Sequence, residues 1–188
     1  MKRRHFILGA LIAGTAQSAA LGKIIFDRAN FLKNGQEVVL ETGFIDPRDL
    51  FRGHYVSLQL NVSQIDSTTV TVAEDIDFGD TVYLELQQGD GVFAVGKSLT
   101  RKYPQAPTGP VLRGTARARF RLFGGKNKSI RVEFPFDRYF APKLRAQELE
   151  KLRRDQKLGV ILALDDTGAG AIKGITINGK KIYEEPLF

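Results

Sequence analysis

The chain has 188 residues, 43% apolar and 26% charged, with 28 Lys and Arg against 21 Asp and Glu for a net charge of +7. This is the composition of a globular protein, long enough for one domain that buries a core without staples, plus a leader. The absence of cysteine excludes disulfides, thiolate metal sites and cysteine nucleophiles, and two histidines, His5 and His54, are too few for a multi-histidine metal centre within one chain.

Lys2, Arg3 and Arg4 precede an uncharged run, Phe6 to Gly22, which continues past Lys23 as Ile24-Ile25-Phe26. Three readings fit. Phe6 to Ala16 followed by small residues up to Ala20 has the form of a cleavable signal peptide. Arg3-Arg4 before His5-Phe6-Ile7-Leu8 resembles a twin-arginine signal. Taken whole, Phe6 to Phe26 reaches roughly 31 Å as a helix, about one hydrocarbon core, which suits an uncleaved anchor. In each case the positive charges stay in the cytoplasm and the body lies outside it. The expected place is a bacterial inner membrane, with a single N-terminal anchor; the alternative is export after signal cleavage, by a twin-arginine route. Residues 1–35 are anchor or signal plus linker, with 27–36 a helix tail or linker ending at Asn34-Gly35, and 36–188 are the body.

In the body, Gln36 to Glu41 is a candidate strand. "FIDPRDLFRGHYVSLQL" follows: Asp46-Pro47 starts a turn, Leu50 and Phe51 pack inward, and Gly53 releases an alternating strand from His54 to Val62. Asp66-Ser67 marks a turn, and "TTVTVA" reads as extended. "TVYLELQ" and "GVFAVGKSL" make a hairpin over 81–99, and Tyr103 to Pro110, with three prolines, a surface loop. Leu112 to Phe123 alternates, with Arg113, Thr115, Arg117, Arg119 and Arg121 on one face. Paired with "SIRVEF", its hydrophobic match sets Phe120 against Ile130, Ala118 against Val132 and Arg117 against Glu133. A helix is expected from Pro142 to Lys157, then a buried strand "LGVILAL" and a hairpin about Asn178-Gly179. The fold class is therefore mainly β, an antiparallel sheet or barrel-like single domain of eight to ten strands with one short helix (about 143–156) and an N-terminal apolar helix.

Candidate chemistry is sparse. His54 with Asp46 and Asp49 nearby lacks a nucleophile elbow, and Ser57 lies on the other face of an extended strand. A Ser-Lys pair would draw on Ser57, Ser63 or Ser98 with Lys97 or Lys102. Asp46, Asp49 and His54 form no recognised ligand motif, and Asp75, Asp77 and Asp80 lack the oxygen ladder of a calcium loop. No catalytic residue, metal or cofactor is assigned. The charge surplus contains no block of five or six like charges and no nucleic-acid-binding motif, so no nucleic-acid partner is expected. Arg117, Arg119 and Arg121 are candidate contacts for an anionic ligand or lipid headgroup. Asp46, Arg48, Asp49 and Arg52 can pair as a small charge lock over their turn.

"DPRDLFRGHYVSLQL" resembles the signature of the GDYXXLXY protein family, an Asp-Pro-Arg turn before Gly-Asp-Tyr-x-x-Leu-x-Tyr. The matching positions are Asp46, Pro47, Arg48, Leu50, Arg52, Gly53, Tyr55 and Leu58. His54 stands where the motif has aspartate, and Leu60 where it ends in tyrosine. Leu112-Arg113-Gly114, "FPFDRYFAP" with Arg138, Tyr139 and Pro142, and the tail "IKGITINGKKIYEEPLF" extend the resemblance over about residues 36–188. It implies a membrane-anchored protein with an outer soluble domain, associated with multi-spanning membrane proteins, and brings no catalytic residue set. The expected function is thus an extracytoplasmic accessory or interaction domain for an integral membrane partner. Its motif residues, Asp46, Pro47, Arg48, Asp49, Arg52, Gly53, His54, Tyr55 and Leu58, are the candidate binding set. An anionic-ligand module and a Ser-Lys type hydrolase are the alternatives.

Overall fold

A computed structural model of the chain describes residues 2–45, 56–121, 128–136, 138–139 and 157–186. The first element is one unbroken helix, α1 (Lys2–Asn34). It contains no proline, and its glycines stand singly among good helix formers, so nothing interrupts it. Its end is abrupt. The Gly35 N–H donates to the Phe31 carbonyl at 2.9 Å, and the next residue already begins a strand. Residues 27–34 therefore continue the apolar helix, and no linker separates it from the body.

Twelve strands follow among the described residues: β1 (Gln36–Ile45), β2 (Val56–Leu60), β3 (Gln64–Asp66), β4 (Thr71–Val72), β5 (Thr81–Gln88), β6 (Ala94–Thr100), β7 (Val111–Arg121), β8 (Lys128–Glu133), β9 (Arg138–Tyr139), β10 (Leu158–Leu164), β11 (Gly170–Ile177) and β12 (Lys180–Glu184). They form two sheets of six, β12-β11-β10-β1-β2-β9 and β3-β8-β7-β5-β6-β4. All pairings are antiparallel except β4 with β6. The mainly β expectation holds. The expected helix at 143–156 lies outside the described residues.

One core joins the sheets. Leu40, Leu60, Val160, Leu162 and Ile175 from the first meet Ile65, Val82, Leu84, Leu99, Leu112 and Ile130 from the second. Strand alternation explains most of this choice. In β5, Val82, Leu84 and Leu86 point into the core every second residue. β10 is buried on both faces along its whole length, which is why it reads as an unbroken apolar run.

Two expectations are corrected. "TTVTVA" contributes only Thr71–Val72, because Asp66 draws the preceding residues into a turn: its carboxylate accepts from Thr68 N and its carbonyl from Thr69 N and Val70 N. The β7–β8 register also differs. Thr115 pairs with Glu133 and Ala116 with Val132, and after a bulge at Arg117, Ala118 pairs with Arg131, Arg119 with Ile130 and Phe120 with Ser129. The extra residue shifts the phase of the alternation by one.

The β11–β12 hairpin turns at Asn178 (φ 49°) and Gly179 (φ 80°), both left-handed as a two-residue primed turn requires. The Asn178 side chain also accepts from Lys157 N at 3.0 Å. A Cβ at position 179 would sit 2.8 Å from Val92 Cγ2. Gly179→Ala is therefore expected to cost about 1–2 kcal/mol, seen as a lower midpoint in thermal unfolding of the full chain in detergent. An unchanged midpoint would show that this turn tolerates a side chain.

Candidate functional site

Of the motif residues, Asp46, Pro47, Arg48, Asp49, Arg52, Gly53, His54 and Tyr55 lie outside the described residues. Leu58 sits in β2, paired with Phe44 of β1.

The arginine row does not continue through β7. Arg117 is the bulge residue and forms an ion pair with Glu133. Beyond it, Arg119 occupies the register position opposite the buried Ile130, and Arg121 that opposite Lys128. The strand's period-2 pattern is out of phase on the two sides of the bulge, so the three positions do not share one face. The bulge thus changes the register expected for the row, and the side chains of Arg119 and Arg121 lie outside the described residues.

The residue that sequence reading missed is Glu85. It lies on the face of β5 opposite the core residues yet is only 7% exposed, because the proline-rich loop before β7 covers it. Its carboxylate accepts from Thr108 N at 2.8 Å, Thr108 Oγ1 at 2.8 Å, Ser98 Oγ at 3.0 Å and Lys97 Nζ at 3.1 Å. Lys97 also donates to Thr108 Oγ1 at 2.6 Å. The Thr108 backbone N–H and hydroxyl, with help from Lys97 and Ser98, hold the Glu85 carboxyl down to about 2 from its ordinary 4.5, against the opposing effect of burial. The signal available in sequence was the hairpin pairing of Glu85 with Ser98, next to Lys97.

This network engages Ser98 and Lys97, one of the serine–lysine pairings that the sequence offers to a Ser-Lys hydrolase. Lys97 is the cationic partner of Glu85, and the Ser98 hydroxyl points its proton at a carboxylate too acidic to act as a base. A nucleophile requires the opposite arrangement, a neutral amine accepting the serine proton. The geometry is that of a clamp fixing the loop at Thr108. The next residue, Gly109, lies so close to the Leu86 carbonyl oxygen that any Cβ would collide with it, and Leu86 N donates to the Pro110 carbonyl at 2.8 Å.

The second feature is the seat of α1. Leu32 (2% exposed), Ala163 and Ala171 form their own buried cluster, with Phe31 packed against it. Ala163 and Ala171 are cross-strand partners on β10 and β11. Their small side chains let the helix approach the sheet closely. Glu37, also paired with Ala163, bonds Lys173 Nζ at 2.6 Å beside the seat. Up the helix the picture reverses. Ile7, Leu8, Leu11, Ile12, Leu21, Ile24, Ile25 and Phe26 are 53–67% exposed, and the helix is long and apolar enough to cross a membrane.

Between the last turn of α1, the clamped loop and the turn after β10 lies a cleft of about 750 Å³. Asn30 and Asn34 line one wall, Tyr103 and Thr108 another, and Asp165 and Asp166 a third. Asp165 is committed to its own turn, accepting from Thr167 N, Thr167 Oγ1 and Ala169 N. Tyr103 is held edge-to-face against Tyr83 at 5.6 Å. Among the described residues no cluster of three His, Asp or Glu side chains could hold a metal.

Comparison with known proteins gives one result. The family model described as GDYXXLXY protein matches residues 17–175, which takes in the second half of α1 and most of the body. No curated protein matches, and no solved structure does.

Proposed function

The chain belongs to the GDYXXLXY protein family, and on that premise we propose that it is an inner-membrane protein whose α1 stays uncleaved and holds a non-catalytic accessory domain outside the cytoplasm, beside an integral membrane partner. The observation that carries this reading is the docked end of α1. Leu32 is buried against Ala163 and Ala171, while the apolar residues up to Phe26 are covered by nothing among the described residues. Phe26 and Ala29, the first buried residue of the helix among those described, are three residues apart, about 4.5 Å along the axis. The body therefore rides directly on the outer surface of the bilayer. The family match supports the same reading, since it takes in the second half of the helix together with most of the body.

Carbonate extraction of membranes from expressing cells tests the anchor. The full 20.9 kDa chain is expected in the pellet; a shorter, soluble form would overturn the anchored reading in favour of export after cleavage. Crosslinking in intact membranes followed by purification tests the accessory role, with a multi-spanning protein expected in the adduct. Recovery of the monomer alone would count against a partner. The anionic-surface reading has less support, since Arg117 is paired and the bulge divides the row. Arg117→Gln is accordingly expected to leave pelleting with anionic liposomes unchanged; a loss of binding would restore that reading.

A further inference from the structure

We propose that the cleft beside the last turn of α1 binds the ammonium end of a phosphoethanolamine headgroup of a membrane lipid. The inference rests on the anchored reading above, and three observations carry it.

The first is level. If the hydrocarbon core ends near Phe26, Asn30 lies about 6 Å and Asn34 about 12 Å farther along the helix axis. The headgroup layer is about 5–8 Å thick on each side, so the cleft opens within it and just above it. Lipid headgroups reach this depth in the ordinary course of bilayer packing.

The second is charge. Among the described residues the lining contains no lysine or arginine. With Asp165 committed to its turn, Asp166 is the carboxylate left over, exposed and with no partner among the described residues. An anionic headgroup meets repulsion here, whereas an ammonium group meets a carboxylate.

The third is the rest of the wall. Tyr103 supplies an aromatic ring fixed by Tyr83, a recognised partner for ammonium groups. Asn34 donates to Asn30 Oδ1, which leaves the Asn30 amide N–H and the Asn34 carbonyl free for the polar linkage behind the ammonium. The cleft volume falls within the range of small-molecule sites, about 300–1,000 Å³. Glu85 acts as a positioning residue, since it fixes the wall at Thr108.

The test uses the full chain, delipidated in mild detergent and offered equal amounts of phosphatidylethanolamine and phosphatidylglycerol with the same acyl chains. Bound lipid is read by native mass spectrometry. Phosphatidylethanolamine is expected to be retained about threefold over phosphatidylglycerol. Asp166→Asn and Tyr103→Ala are each expected to bring the ratio close to one while leaving the circular dichroism spectrum unchanged. Soluble phosphoethanolamine is a separate arm. Its failure to compete at millimolar concentration is expected for a lipid site, and full displacement of the lipid would assign the cleft to the free compound instead. Equal retention of the two lipids, or an unchanged ratio in Asp166→Asn, would overturn the assignment. A chain that resists carbonate yet shows no preference refutes only the cleft; a chain released by carbonate refutes the anchor and the headgroup site together.

Discussion

Glu85→Ala is expected to lower stability by about 3 kcal/mol, or roughly 6–12 °C in melting temperature for a body of this size. The carboxylate accepts four hydrogen bonds, and its removal leaves the Thr108 N–H and the Ser98 hydroxyl without their acceptor. Lys97 is 38% exposed and can turn to water, which keeps the loss below that of a fully buried pair. Glu85→Gln retains one acceptor and the shape but not the charge, so about half the loss is expected. The acid limb of stability separates charge from packing. The folded carboxyl titrates at about 2 and the ordinary one at 4.5. A depressed folded value means the contribution is complete above pH 4.5 and fades as pH falls from 4.5 towards 2. Urea midpoints from pH 6 to 2.5 should therefore fall more steeply in the wild type than in Glu85→Gln. Parallel curves would show that the clamp's charge contributes nothing, and that Glu85 is held there by packing alone.

The same residue marks the boundary of what sequence could reveal. Where burial followed a period, the reading held. β5 and β6 form the expected hairpin, β10 the expected buried strand, and Asn178-Gly179 the expected turn. These signals are local, carried by alternation and turn chemistry within a dozen residues. Glu85 lies in an alternating strand at a position that alternation assigns to solvent. What buries it is a loop more than twenty residues away, and no period reports that. The β7 bulge was hidden for a related reason. The run from Leu112 to Phe123 alternates cleanly, so a regular ladder looked best, yet the strand slips at Arg117 and pairs Arg119 with Ile130. Alternation states which side chains differ, not where a backbone takes up an extra residue. The family motif was legible as a string of identities, and the family match agrees with it. The cleft was not legible, because its walls come from residues 30–36, 103–111 and 164–166 and meet only through the two-sheet packing.

Leu32→Ala is expected to free the last turn of α1 from the body without unfolding the body. Leu32 is 2% exposed, and its cluster with Ala163 and Ala171 is separate from the main core. Truncation removes most of the apolar contact in that cluster, at a cost of about 2 kcal/mol, the low end for a buried leucine because the site lies at the domain edge and can relax. The cost should appear as local opening, since the strands that flank the seat are held by their own ladders. Lys33, exposed in the last turn, provides the readout. Trypsin requires an extended backbone, so cleavage after Lys33 tracks the opened fraction, and 2 kcal/mol corresponds to about a 30-fold faster cut. The melting temperature of the body should move by only a few degrees. A large drop in melting temperature with unchanged cleavage would mean that the helix end and the sheets unfold as one unit. The variant also bears on the cleft. Leu32 does not line it, but Asn30, Phe31 and Asn34 do, so a loosened helix end takes one wall away. If the headgroup assignment holds, Leu32→Ala should lower phosphatidylethanolamine retention as Asp166→Asn does, with every polar group of the site intact. Retention at the wild-type ratio would show that the lipid, if bound, uses only the loop and the Asp166 turn.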